Sequence, residues 1–196
     1  MDPYIYINNH SLSRDICRDI IAIFEKTKNK PNAATVRGVN KTVFNAVQCP
    51  VDIITDSEWT KIHEFLKIEL YQNISIYAKQ IDGQIQNGTI YNHLAEPMIY
   101  NNFHINKYDC TTEGHYNYHI DHLITPDQLE RHITFIWYLN DVKEGGETEI
   151  KGEIRIKPET GKLLLFPSTW TYPHTSRKTI SNDKYVIVGW LTRKLL

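Results

Sequence analysis

Cysteine is scarce in this 196-residue chain: the three present, Cys17, Cys49 and Cys110, are an odd number with no C-x-x-C spacing. That argues against a disulfide framework or a structural zinc site, and it fits a reducing compartment. Neither sign of charge is in excess. The 22 Lys and Arg against 23 Asp and Glu leave a formal net charge of -1, which gives no general attraction for nucleic acid or an anionic membrane. No apolar run approaches membrane-spanning length, and Met1-Asp2-Pro3-Tyr4 carries no basic-then-apolar leader signal. The expected setting is a soluble protein of the cytoplasm. Repeats, linkers and low-complexity stretches are also missing, so one domain spanning 1–196 is expected, long enough to bury a core without staples. Tyrosine, by contrast, is plentiful, with 12 residues.

The chain changes character once. Tyr4-Ile5-Tyr6-Ile7 is rich in strand formers, and Ser11 or Ser13 can cap a helix carrying Ile16, Ile20, Ile21 and Phe24 at helical spacing. Residues 31–50 are irregular and read as a hairpin or a mobile loop. Thr55-Asp56-Ser57-Glu58 matches a capping box. It predicts a long helix, because Trp59, Ile62, Phe65, Leu66, Leu70, Ile74, Tyr77 and Ile81 recur every three or four residues. The stripe is that of a helix packed on a sheet, ending near Asp82-Gly83 or Asn87-Gly88. Beyond Gly88 the pattern is of strands: 89–93, 98–108, 116–122, 132–140, 147–150, 153–156, 162–166 and 185–192, several of them separated by turn residues. With no βαβ alternation, the predicted fold class is mainly β with flanking helices (α+β). It is an antiparallel jelly roll over 89–196, supported by a helical and β half over 1–88.

Within the strand half, His119-Ile120-Asp121 places an imidazole and a carboxylate on one face of an extended chain. Two such ligands make a partial metal site. A third imidazole would complete the two-histidine, one-carboxylate facial triad that leaves positions open on non-heme Fe(II). Nine histidines make chance pairs common, and His115, His122 and His132 crowd the motif. Neither His115 nor His122 has an acidic residue two positions later. His174 stands apart, since it follows an apolar strand closed by Phe166-Pro167-Ser168 and a returning loop.

Taken together, five blocks between Phe103 and Leu191 resemble the prolyl-4-hydroxylase-like branch of the Fe(II)- and 2-oxoglutarate-dependent dioxygenases. They are Tyr108 with Gly114-His115-Tyr116-x-x-His119-x-Asp121, the strand Arg131 to Val142, the turn Gly145-Gly146-Glu147-Thr148, the stretch Lys157-Pro158 through Ser168 to His174, and Lys184 to Trp190. The resemblance implies a double-stranded β-helix (jelly-roll) core braced by two N-terminal helices. It implies that His119, Asp121 and His174 hold Fe(II), that Lys184 binds the far carboxylate of 2-oxoglutarate, and that Tyr108 and Tyr138 help to seat it. The implied reaction takes O2, releases succinate and CO2, and hydroxylates a substrate C–H bond, with room for ascorbate in a supporting role. The substrate it points to is a peptide or protein containing proline. A relative acting on another amino acid, a small molecule or a nucleobase would keep all five blocks, and a non-catalytic jelly-roll binding module is the reading from another class.

Smaller expectations complete the picture. Thr134, Ile136 and Tyr138 share a face of their strand, expected to be the interior. Arg131 reads equally as a surface charge or a substrate contact, Glu147 as structural, and Trp190 as core. The segments 31–50 and 123–130 are expected to wall a substrate groove.

Overall fold

A computed structural model of the protein describes residues 2–28, 30–51, 57–84 and 99–195. The secondary structure runs β1 (Tyr6–Asn8), α1 (Arg14–Lys26), β2 (Phe44–Asn45), β3 (Val47–Pro50), α2 (Ser57–Gln84), β4 (Ile99–Tyr108), β5 (His115–His119) and β6 (Leu129–Tyr138). It continues with β7 (Thr148–Ile150), β8 (Ile154–Ile156), β9 (Leu163–Pro167), β10 (His174–Ser176) and β11 (Lys184–Lys194). Ser13 caps α1 by accepting a hydrogen bond from the Ile16 N–H. The expected cap Thr55, the strand 89–93 and the turn at Asn87-Gly88 lie outside the described residues.

All strand pairs among the described residues are antiparallel. One sheet has the order β1-β9-β6-β11-β4-β3 and the other β2-β5-β10-β7-β8, and the two face one another as a jelly roll. Most of β9 and the second half of β6, Ile133–Tyr138, are buried on both faces, as strands between two layers must be. Leu163 and Leu165 of β9, with Phe135 and Trp137 of β6, pack under the helices against Phe24, Leu66, Leu70, Ile74 and Tyr77. Leu164, Phe166, Ile136 and Tyr138 point the other way, between the sheets. The expected interior face of β6 is therefore interior, and the opposite face is equally dry beneath α1 and α2.

Each fully buried Leu or Phe is worth about 1.5–3 kcal/mol relative to exposure, so this helix-on-sheet layer is the main source of stability. Polar bonds fix where the helices sit on it. Trp137 Nε1 donates to Ser11 Oγ (2.9 Å), Ser11 Oγ to Glu69 Oε1 (3.0 Å), and Tyr6 Oη to Asn73 Oδ1 (3.0 Å). The apolar stripe of α2 packs as expected except at Phe65, which is exposed with Ile68, Tyr71 and Ile76. No helix among the described residues is long and apolar enough to cross a membrane.

Residues 31–50 hold the expected hairpin, with Asn32 bridged antiparallel to Val47 and Ala33 N–H bonded to Ala46 O at 2.9 Å. Residues 44–50 form a crossing, in which β2 joins the edge of one sheet beside β5 and β3 joins the edge of the other beside β4. Each piece is too short to show a period, which is why the segment reads as irregular. Residues 123–130 are a hydrogen-bonded hairpin end, with Ile124 bridged to Glu130 and Thr125 N–H bonded to Leu129 O at 2.9 Å.

Candidate metal and cosubstrate site

The three expected ligands arrive from two neighbouring strands of one sheet and the turn after the first. His119 ends β5, Asp121 follows it by two residues, and His174 opens β10 directly opposite His119. Their donor atoms lie within 4.8 Å of one another. Asp121 Oδ1 is 3.4 Å from His119 Nε2, and Asp121 Oδ2 is 3.5 Å from His174 Nε2.

Both imidazoles are turned the same way by their backbones. His119 Nδ1 bonds Asn117 O at 2.8 Å and His174 Nδ1 bonds Tyr172 O at 3.1 Å. A carbonyl can only accept, so Nδ1 carries the proton in each ring and Nε2 presents its lone pair inward. Aromatic packing fixes the ring planes: Tyr116 stacks on His119 at 3.6 Å between centroids, and Phe166 meets His174 edge-on at 4.8 Å. Burial, reinforced by the charge of His119, pushes the His174 imidazole down to about 4 against the pull of Asp121. Burial alone would raise the Asp121 carboxyl. The charges of His174 and His119 outweigh it and hold that carboxyl well below the usual range. Near pH 7 the result is an ionised carboxylate beside a neutral imidazole, the protonation states a cation needs from its ligands. Two lone-pair nitrogens and one carboxylate converging at these distances, with both Nδ1 atoms already bonded to backbone carbonyls, fit a divalent metal of the non-heme Fe(II) type.

The competing histidines are engaged elsewhere. Both ring nitrogens of His115 face carbonyls, Glu113 O at 2.8 Å and Thr42 O at 3.3 Å. His122 and His132 pair with the two oxygens of Glu130 at 3.0 and 3.2 Å.

Lys184 begins β11 and is 1% exposed. Its ammonium donates to Gly146 O (2.8 Å) and to Ser176 Oγ, and sits 4.3 Å from the centre of the Tyr108 ring. Gly145 and Gly146 both have positive φ, near +75° and +73°. The paired glycines thus shape the turn whose carbonyl holds the lysine in place. Burial pushes the Lys184 ammonium down to about 7, opposed only by the charge of Glu147.

His119, Asp121, His174 and Lys184 all line one cavity of about 730 Å³. Tyr108 lines it too, whereas Tyr138 stands one residue behind the wall, donating its hydroxyl to Thr148 Oγ1 at 2.6 Å. The outer wall is supplied by Ala34 to Arg37 with Val43 and Phe44 on one side, and by Ile120 to Leu123 on the other.

Further residues complete this site. Thr134 Oγ1 donates to Asp121 Oδ2 at 2.8 Å and lies 2.9 Å from Ser168 Oγ. Trp190, expected in the core, lines the cavity, and the Arg131 guanidinium stacks on its ring at 3.4 Å. Arg131 Nε is buried with no hydrogen-bond partner among the described residues, while Arg131 Nη1 reaches Asp121 O at 3.5 Å and the Trp190 side chain helps to hold the Asp121 carboxylate ionised. A signal for Trp190 was present in its parity, since it alternates in step with Lys184, Val186 and Val188.

Comparison with known proteins agrees with this geometry. Residues 103–192 match the sequence profile described as the 2OG-Fe(II) oxygenase superfamily. A PKHD-type hydroxylase from Prochlorococcus marinus (strain MIT 9215) is 28% identical over 138 residues, covering 67% of this chain. The match spans only 60% of that relative's length. Among solved structures, a prolyl hydroxylase from Trichoplax adhaerens, in complex with a hypoxia inducible factor peptide fragment, superposes with a TM-score of 0.73 at 19% identity. That match covers 97% of this chain and 84% of the other. A Pseudomonas putida prolyl-4-hydroxylase gives 0.69 at 17% identity, covering 97% and 93%.

Proposed function

We propose that this chain, whose residues 103–192 carry a 2OG-Fe(II) oxygenase domain of prolyl-hydroxylase likeness, is an Fe(II)- and 2-oxoglutarate-dependent dioxygenase acting on a peptidyl proline. The observation that carries the reading is the opening of an N,N,O ligand cluster and a buried lysine into the same cavity. His119, Asp121 and His174 would hold the iron. Once bound, iron and 2-oxoglutarate supply an oxidation in which O2 gives one oxygen atom to succinate and one to the substrate, with loss of CO2.

The protein's own residues do the rest. Lys184 holds the far carboxylate of 2-oxoglutarate through a single-ended, charge-assisted contact, since an ammonium lacks the planar fork of arginine. The Tyr108 ring and Ser176 keep that ammonium aimed. Tyr138 acts one step back, by fixing the hydroxyl of Thr148. Arg131 and Trp190 face the substrate. The buried, unpartnered Arg131 Nε–H costs about 1–3 kcal/mol when left unsatisfied, and a substrate carbonyl beside Asp121 would recover that. Proline suits the role, because a proline segment is already extended and its carbonyls are free to accept. The exposed apolar side chains Val36, Tyr118 and Ile120 at the mouth suit a chain more than a small polar metabolite.

The test is a panel of proline-containing peptides supplied with Fe(II), 2-oxoglutarate and O2. Succinate release should accelerate, and the peptide should gain the mass of one oxygen atom. Alanine in place of proline should abolish both. Oxidation of a free metabolite with no peptide turnover would defeat the prolyl reading and leave the dioxygenase standing.

A further inference from the structure

We propose that Thr134, oriented by Ser168, is a positioning residue that restricts Asp121 to a single metal-facing oxygen, Oδ1. The inference rests on the metal reading of His119, Asp121 and His174 given above. Thr134 has one hydroxyl proton, and its 2.8 Å bond to Asp121 Oδ2 uses it. The 2.9 Å contact between Thr134 Oγ1 and Ser168 Oγ must then be filled by the serine proton. Hydrogen bonding thus runs one way, from Ser168 to Thr134 to Asp121. All three residues are buried, Thr134 completely, so no water competes.

The backbone gives this chain of hydroxyls little freedom. Thr134 lies mid-strand in β6, paired with Phe166 on one side and Trp190 on the other. Ser168 is held just past β9 by its N–H bond to His132 O at 2.9 Å. A carboxylate free to rotate could offer both oxygens to a metal. The bond from a rigid donor weakens Oδ2 as a ligand, so Oδ1, 3.4 Å from His119 Nε2, would be the metal-facing oxygen, and the position that a second oxygen would fill would stay open for cosubstrate or O2.

The test uses the full chain under anaerobic conditions without cosubstrate. It measures Mn(II) affinity and the separation of the two carboxylate stretching bands, read by infrared difference with labelled aspartate. Thr134→Val keeps shape and removes the donor, so Mn(II) affinity should fall by about 10–100-fold and the band separation should narrow toward the two-oxygen value. Thr134→Ser should behave as the parent on both readouts, and Ser168→Ala should show a smaller change in the same direction. Thr134→Val indistinguishable from the parent, or equal losses in Thr134→Val and Thr134→Ser, would overturn the proposal while leaving the metal site standing. If Thr134→Val does not fold, Ser168→Ala decides: a narrowed separation supports the proposal and an unchanged one overturns it. A parent chain that binds no Mn(II) would overturn the metal reading and this one with it.

Discussion

The floor of the cavity and its outer wall are made in opposite ways. On the floor, Asp121, Thr134, Ser168, His174 and Lys184 are all buried; His174 is held by Tyr172 O two residues back, and the others have polar bonds to residues from other parts of the chain. The wall contains Val36, 82% exposed, and Ile120, 44% exposed. Its tip, Thr35 to Gly38, bonds mainly to itself: Thr35 N–H to Gly38 O at 3.0 Å and the reverse at 2.9 Å. Its ends are tied down where Ala33 bonds Ala46 and Val43 bonds Asn117. A metal site tolerates little displacement, so its ligands need over-determined positions. A surface that receives a polymer gains from apolar side chains that can adapt. Under the proposed function, the two demands are kept apart, with ligands on and beside paired strands and contact surface on a turn.

That contrast can be broken from the floor first. His174→Ala should abolish succinate release altogether, because it removes a ligand whose position no neighbouring side chain can take. The check is turnover with saturating Fe(II) and 2-oxoglutarate, and residual turnover near the parent level would count against the floor as drawn. Lys184→Ala should come next. Losing a charge-assisted contact in a dry pocket is worth on the order of 2–5 kcal/mol, or tens to thousands of fold in 2-oxoglutarate affinity. Metal affinity should hardly move. An unchanged cosubstrate affinity would shift the role to Arg177 or Lys178.

The same lysine gives a pH dependence. Burial lowers its ammonium to about 7 in the free protein, so as pH rises through 7 the free protein loses the proton that a carboxylate needs. Cosubstrate affinity should be full below about pH 7 and fall by about tenfold per pH unit above it, the slope of one linked proton. For folding the sign is opposite: the unfolded lysine keeps its proton to about 10.4, so this group's destabilising contribution is relieved as pH rises from 7 toward that value. Isothermal titration with 2-oxoglutarate across this range checks the slope, and a flat profile would contradict it.

From the wall the effects should be smaller. Val36→Ser trims apolar surface worth roughly 0.8 kcal/mol per buried CH2. It should raise the KM for a peptide several-fold and leave metal and 2-oxoglutarate affinity unchanged. A large change in metal affinity would show that floor and wall are not separable.

Much of the floor was legible in the sequence, and most of the wall was not. His119 and Asp121 announce themselves because strand alternation puts residues two apart on one face. The capping serine of α1 and the apolar stripe of α2 are local signals of the same kind. β10 is three residues long and exists as a strand only through its pairing with β5 and β7, so no periodicity marks it. Thr134 and Ser168 are 34 residues apart, and nothing local in either stretch indicates that Ser168 and Thr134 form a hydrogen-bond chain ending on Asp121. Residues 44–50 belong to two sheets in succession, which erases any single pattern. Phe65 keeps the spacing of the buried stripe yet is exposed, because spacing alone cannot mark the edge of the stripe.

The central assignment is the identity of the ligands, and one titration tests it most directly. Metal-free protein is titrated anaerobically with Mn(II), following free ion by electron paramagnetic resonance, for the parent and for His119→Ala and His115→Ala. The account predicts one tightly held Mn(II) per chain in the parent and in His115→Ala, and loss of that binding in His119→Ala. Binding that survives in His119→Ala and disappears in His115→Ala would contradict it.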